Sequence, residues 1–226
     1  MAITLYEFED LLSAVRNVRP RPGRRARLLA LSGIDASGKG YVSRLLAKRL
    51  SAAGHRVAAI SADGWLSLPS VRFGSNNPGL HFYRHALRLD EMFSCLIDPL
   101  VRDGNVYLIA DFTEETAERY RRHAYSFEAV DTVILEGIFL FRRAFCSAYD
   151  LRVWVDCSFE TALERAVARS QEALSLQDTV AAYESIYFPA QRVHFDIDLP
   201  QDAADVIYVN DQRRSTRHGK LVPKTP

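Results

Sequence analysis

The run Gly33-Ile34-Asp35-Ala36-Ser37-Gly38-Lys39-Gly40 has the spacing GxxxxGK. Glycines let successive backbone N–H groups turn inward around phosphate oxygens. A helix beginning at the lysine adds its partial positive charge, and the ammonium reaches the β- and γ-oxygens. The chemistry implied is the cradling of a nucleoside triphosphate, with ATP as the expected co-substrate. The expected nucleotide-binding residues are Gly33, Asp35, Ala36, Ser37, Gly38, Lys39, Gly40 and Tyr41. A dinucleotide fingerprint is excluded, because GxGxxG does not occur. One position departs from the usual loop: Gly40 stands where a Ser or Thr hydroxyl normally binds Mg²⁺. Either Mg²⁺, the expected cofactor, is held by phosphates, waters and carboxylates alone, which suits an ion that keeps much of its hydration, or metal-assisted catalysis is weakened.

Two carboxylates close apolar runs. Glu136 follows Val133-Ile134-Leu135 and precedes Gly137, a placement that suits a carboxylate holding Mg²⁺ or its waters. Asp63 follows Ser61-Ala62 and reads two ways. It can accept the proton of an attacking hydroxyl, or form an Asx turn with Gly64. The cluster His81-Phe82-Tyr83-Arg84-His85 also reads two ways, as an acceptor-binding wall or as the start of a helix with exposed histidines. Arg165 and Arg169 are four apart and can share one helix face, either to stabilise transferred charge or as a solvated flank. His55, His123, His194 and His218 suggest no ligand or triad geometry and read as structural or surface residues.

These residues need a scaffold. Leu28–Ser32, Val57–Ser61, Val106–Phe112, Thr132–Glu136, Leu151–Asp156 and Ala204–Val209 are apolar runs that read as strands. Helical stripes lie between them, at Val42–Leu50, Leu87–Leu100, Thr161–Ala168 and Thr179–Tyr187. Apolar strands without alternation, separated by helices, predict a mostly parallel sheet covered on both faces, with ligands beyond the carboxyl ends of its strands. Thr4-Leu5-Tyr6-Glu7 has capping-box spacing and predicts an N-terminal helix, ended by Pro20 and Pro22. Residues 1–22 read as a helical extension, 23–212 as the main domain and 213–226 as a basic tail. The five arginines between Arg19 and Arg27 read as a solvated linker.

Composition narrows the classes. The 226 residues are 48% hydrophobic and 25% charged, with 29 basic and 28 acidic side chains, so bulk charge recommends neither nucleic acid nor an anionic membrane as partner. Three widely spaced cysteines without a CxxC pair argue against a disulfide framework or zinc ribbon and fit a reducing cytoplasm. No run approaches eighteen apolar residues. The expected partners are a nucleotide and a small-molecule acceptor. A homo-oligomer is left open.

With these positions in place, the chain from Arg27 to about Asn210 resembles the uridine kinase and phosphoribulokinase group of P-loop kinases. The phosphate loop, Asp63, Asn77-Pro78 with Phe82, Tyr83 and Asp90, Ala110-Asp111-Phe112, Glu136-Gly137-Ile138, Val155-Asp156, Leu163–Arg169, Tyr183, Pro189, Pro200 and Ala204–Ile207 carry the likeness in order. It implies a P-loop NTPase three-layer α/β sandwich with a short lid. It implies phosphoryl transfer to a hydroxyl of a nucleoside-like molecule, with Asp63 as base, Lys39 and Arg169 as catalytic cations and Glu136 as metal ligand. His81, Tyr83, Arg84 and Asp111 would bind the acceptor. The family's strand tyrosine is Ala110 here, and its base-recognising histidine corresponds to Glu114 or Glu115. The lid is thinned to Ser170-Gln171-Glu172 after Arg169. These departures argue against uridine and cytidine. They leave two alternatives: a kinase for a sugar or vitamin-like alcohol, and a nucleotide-binding module without catalysis.

Overall fold

A computed structural model describes residues 2–74, 76–169, 175–211 and 213. Among them eight strands form, β1 (Ile3–Leu5), β2 (Arg27–Ser32), β3 (Val57–Ser61), β4 (Val106–Phe112), β5 (Arg121–Phe127), β6 (Thr132–Gly137), β7 (Leu151–Asp156) and β8 (Val206–Val209). Six build one parallel sheet in the order β1-β8-β7-β2-β6-β3, so the mostly parallel α/β fold read from the sequence is the fold observed. All six residues of β2 are buried, as expected for a central strand covered on both faces.

Alternate side chains of β2 and β6 enter opposite layers. Leu29, Leu31 and Ile134 pack with Leu11, Leu12 and Val15 of the helix Phe8–Arg16, and with Val42, Leu46 and Leu50 of the helix Lys39–Ala52. Leu28, Ala30, Val133 and Leu135 face the other layer with Leu89, Met92, Leu96 and Leu100, and with Tyr183, Tyr187 and Ala190 of the continuous helical stretch that begins at Leu176. No helix among the described residues is long and apolar enough to cross a membrane.

Three expectations are corrected. Thr4 does not cap a helix. Ile3–Leu5 is an edge strand paired with β8, and the helix starts only after Glu7, because an extended backbone here extends the sheet. The arginine run is solvated only in part: Arg19, Arg21 and Arg25 are exposed, as read, but its end is not. Arg27 is buried and donates to the carbonyls of Val15, Arg16 and Val18, at and just beyond the end of the first helix, where the Val15 carbonyl also accepts the Val18 N–H. Arg21 and Arg24 sit beside Asp150, whose carboxylate accepts the Leu28 N–H. Finally, β4 is not in the main sheet. It pairs antiparallel with β5, a strand the apolar-run reading passed over, as a separate hairpin. The thinned lid at Ser170–Leu174 and the tail beyond Arg213 lie outside the described residues.

Candidate active site

The carboxyl ends of β2, β3 and β6 open into a cleft of about 1120 Å³. Its phosphate end is the loop between β2 and the helix Lys39–Ala52. Gly38 has φ +90° and caps that helix, and a Cβ there would lie 2.3 Å from Asn210 Nδ2. A Cβ on Gly33 would meet the Val155 carbonyl at 2.5 Å. Both positions therefore require glycine. The loop is braced from outside, since the Ser37 carbonyl accepts bonds from Arg165 Nη1 at 3.1 Å and Asn210 Nδ2 at 2.8 Å. Asp35 accepts from the Ala36 N–H and the Tyr183 hydroxyl. Lys39 is buried at the loop's mouth, with Nζ 3.4 Å from the Ile34 carbonyl. Asp35, Ala36, Gly38, Lys39, Gly40 and Tyr41 line the cleft. Gly33 and Ser37 shape the loop from behind.

Gly40 is not imposed by crowding. A Cβ there would make ordinary contacts, 3.5 Å from Arg44 Nη1 and 3.7 Å from Glu136 Oε1. Arg44 lines the cleft too, one helical turn beyond Gly40, and was not singled out from the sequence. Its spacing of four from Gly40 was the available signal.

Asp63 stands in a one-turn helix, Ala62–Trp65, directly after β3. Its N–H donates to Ser61 Oγ, and Trp65, fully buried and stacked 5.9 Å from Tyr125, pins the turn beneath the hairpin. Gly137 serves this turn: a Cβ on it would stand 2.6 Å from Ala62 Cβ. Glu136, next to it on β6, pairs in register with Ser61 and lines the same cleft. The Asp63 carboxyl is open to the cleft but enclosed by protein on its other sides. That desolvation, then the negative charges of Glu136 and Asp35, outweigh Lys39 and Arg169 and push its pKa up to about 6. The carboxylate is thus ionised near neutral pH yet basic enough to take a proton.

The two helix arginines separate in role. Arg165 is committed to the Ser37 and Asn210 carbonyls, while Arg169 lines the cleft and acts electrostatically on Asp63.

The acceptor end departs most from expectation. His81, Tyr83, Arg84 and Asp111 do not line the cleft. In the helix Pro78–His85 only Phe82 reaches it, because consecutive residues on a helix point about 100° apart. His81 Nε2 lies 2.8 Å from the Val71 carbonyl, and Arg84 is exposed. Tyr83 is buried behind the cleft, donating to Asp198, with the Arg142 guanidinium 4.6 Å from its ring centre. Asp111 alternates to the outer face of β4 and pairs with Arg122 at 2.9 Å. In their place come Phe112, Glu114, Glu115, His123 and Tyr125 from the hairpin, Arg72, Tyr187 and Gln191. His123 reads from the sequence as a structural or surface residue. Its ring lies 5.0 Å from Phe112 and 4.6 Å from Tyr125, and the alternation His123, Tyr125, Phe127 was the signal that could have found it.

No family model and no curated protein matches the chain by sequence. Solved structures do match it. A possible uridine kinase from Bacillus stearothermophilus superposes with a TM-score of 0.72 at 17% identity, covering 89% of this chain and 96% of that one. A candidate fructose transport system kinase from a Silicibacter species gives 0.70 at 21% identity, covering 90% and 100%. A D-glycerate 3-kinase from Cryptococcus neoformans gives 0.59 at 12% identity, covering 96% and 95%. The chain has the fold of the P-loop kinases that its sequence resembles.

Proposed function

We propose that this chain transfers the γ-phosphoryl group of ATP to a hydroxyl of a small molecule. The observation that carries this reading is Asp63, a carboxyl with its pKa pushed up to about 6 that shares one cleft with Lys39, Glu136 and Arg169. Phosphoryl transfer asks a protein for positioning and charge neutralisation more than for covalent chemistry. In this reading the loop amides and Lys39 bind the β- and γ-phosphates. Arg169 offsets charge on the transferred group, and Asp63 receives the acceptor's proton as its oxygen attacks.

The acidic side chains fit a divalent cation. Glu136 and Asp35 both act to raise the pKa of the Asp63 carboxyl, an excess of negative charge that a cation relieves. Among the described residues no group of three or more ligating side chains forms a protein cage. Glu136 would therefore hold Mg²⁺ together with phosphate oxygens and waters. Bound there, the ion supplies neutralisation of the phosphate oxygens.

The aromatic row Phe112, His123 and Tyr125 supports a ring-bearing, nucleoside-like acceptor over a simple sugar. The test is acceptor-dependent ADP release from ATP with Mg²⁺, across nucleosides, sugars and vitamin-like alcohols. Release with a nucleoside-like alcohol is expected. Nucleotide binding without ADP release from any of them would instead favour a module that binds and does not catalyse.

A further inference from the structure

Gln191 is 1% exposed, yet it lines the cleft. Its Oε1 is buried and has no hydrogen-bond partner among the described residues. A buried amide oxygen left unpaired costs free energy, so such a group calls for a reason. The position is firmly fixed. Tyr183, Tyr187, Gln191, His194 and Asp198 recur on one face of a continuous helical stretch. Tyr183 bonds to Asp35 of the phosphate loop at one end of that stretch. Asp198 at the other accepts from the Tyr83 hydroxyl and the Arg143 N–H. Gln191 is thus held on a rigid element between two anchors, beside Tyr187.

Charge along the cleft is uneven. Lys39, Arg44, Arg165 and Arg169 gather at the phosphate end. At the acceptor end Glu114, paired with Arg121 at 2.9 Å, and Glu115 line the cleft, and Arg72, the arginine lining it there among the described residues, directs Nη1 and Nη2 to the carbonyls of Ser67 and Glu115. Most of the cationic side chains that line the cleft thus gather away from the acceptor end.

We infer that the Gln191 amide reads the acceptor, and that the acceptor is a neutral alcohol carrying an amide or lactam edge. An amide presents one acceptor and one donor side by side, which matches a neighbouring C=O and N–H on the ligand. This rests on the kinase reading and narrows its substrate class. A site built to hydrogen-bond a ligand discriminates strongly against the analogue that lacks the group.

The experiment measures ADP release by wild type and Gln191→Met with uridine, thymidine and panthenol as neutral amide- or lactam-bearing alcohols. D-glycerate and ribulose 5-phosphate serve as anionic ones. Melting temperature and the KM for ATP are followed alongside. At least one neutral probe should be phosphorylated and the anionic ones should not. Gln191→Met should raise the neutral probe's KM about tenfold or more, with kcat within about threefold and the KM for ATP unchanged. If Gln191→Met does not fold, Gln191→Asn, which draws the amide back by one methylene, should raise the same KM. A preference for an anionic probe, or an unchanged KM in a folded variant, overturns the inference and leaves the kinase reading standing. No ADP release with any probe overturns both.

Discussion

The phosphate end of the cleft draws most of its lining from one stretch of chain, Asp35 to Arg44, whereas the acceptor end gathers Arg72, Phe82, Phe112, His123, Tyr187 and Gln191 from distant segments. The first uses backbone amides and two glycines whose left-handed or crowded positions leave no other choice, so local sequence dictates geometry. The second uses side chains whose direction depends on which face of a helix or strand turns inward. Chemistry held by a contiguous loop is legible as a motif. Specificity assembled across a sheet, a hairpin and a helix is not.

Substitutions at the two ends should therefore differ in scale. Lys39→Ala, at the phosphate end, should lower kcat/KM by about 10³-fold, the upper range for removing one preorganised charge from a transition state. Steady-state kinetics with the best acceptor would check this, and a loss below tenfold would remove the lysine from the transferring site. The titration of Asp63 links the two ends. With its pKa at about 6, kcat/KM should fall about tenfold per pH unit below that value, as the base becomes protonated. Stability should move the opposite way. A carboxyl whose folded pKa is raised contributes stability that is present at low pH and lost as pH rises through about 6. Asp63→Asn should accordingly raise Tm relative to wild type above pH 6, and the gain should vanish towards pH 4. A flat Tm difference across that range would mean that the carboxyl titrates normally.

The smallest effects are expected where sequence reading pointed outside the cleft. Asp111→Ala removes a half-exposed ion pair with Arg122, of a kind worth about 0–1 kcal/mol. Arg84→Ala removes an exposed side chain. Each should change the acceptor KM by less than about threefold, and a large rise in either would place the acceptor elsewhere than the hairpin face.

The sequence exposed the parallel sheet because its strands are buried on both faces and so read as unbroken apolar runs, as Leu28–Ser32 and Thr132–Leu135 do. Asp63, Glu136 and Lys39, picked out from strand ends and the loop after a strand, lie along one cleft because the carboxyl ends of the strands in such a sheet open there. The sequence concealed β5, whose exposed arginines and alternate aromatic residues resemble a loop when only apolar runs are sought. It also misassigned Tyr83 and Asp111. Each lies one residue from a lining position, Phe82 and Phe112, and a one-residue step reverses direction on a strand and turns about 100° on a helix. Arg27 was hidden for another reason. The carbonyls it bonds belong to a helix end that only the folded chain brings near.

The central claim is that Asp63 performs the proton transfer and is not needed to bind the nucleotide. Nucleotide affinity and acceptor-dependent turnover of Asp63→Asn, measured on one preparation, test it most directly. The account predicts affinity near that of wild type and turnover reduced about 10²-fold or more. Turnover that survives the substitution, or nucleotide binding that is lost with it, would contradict the account.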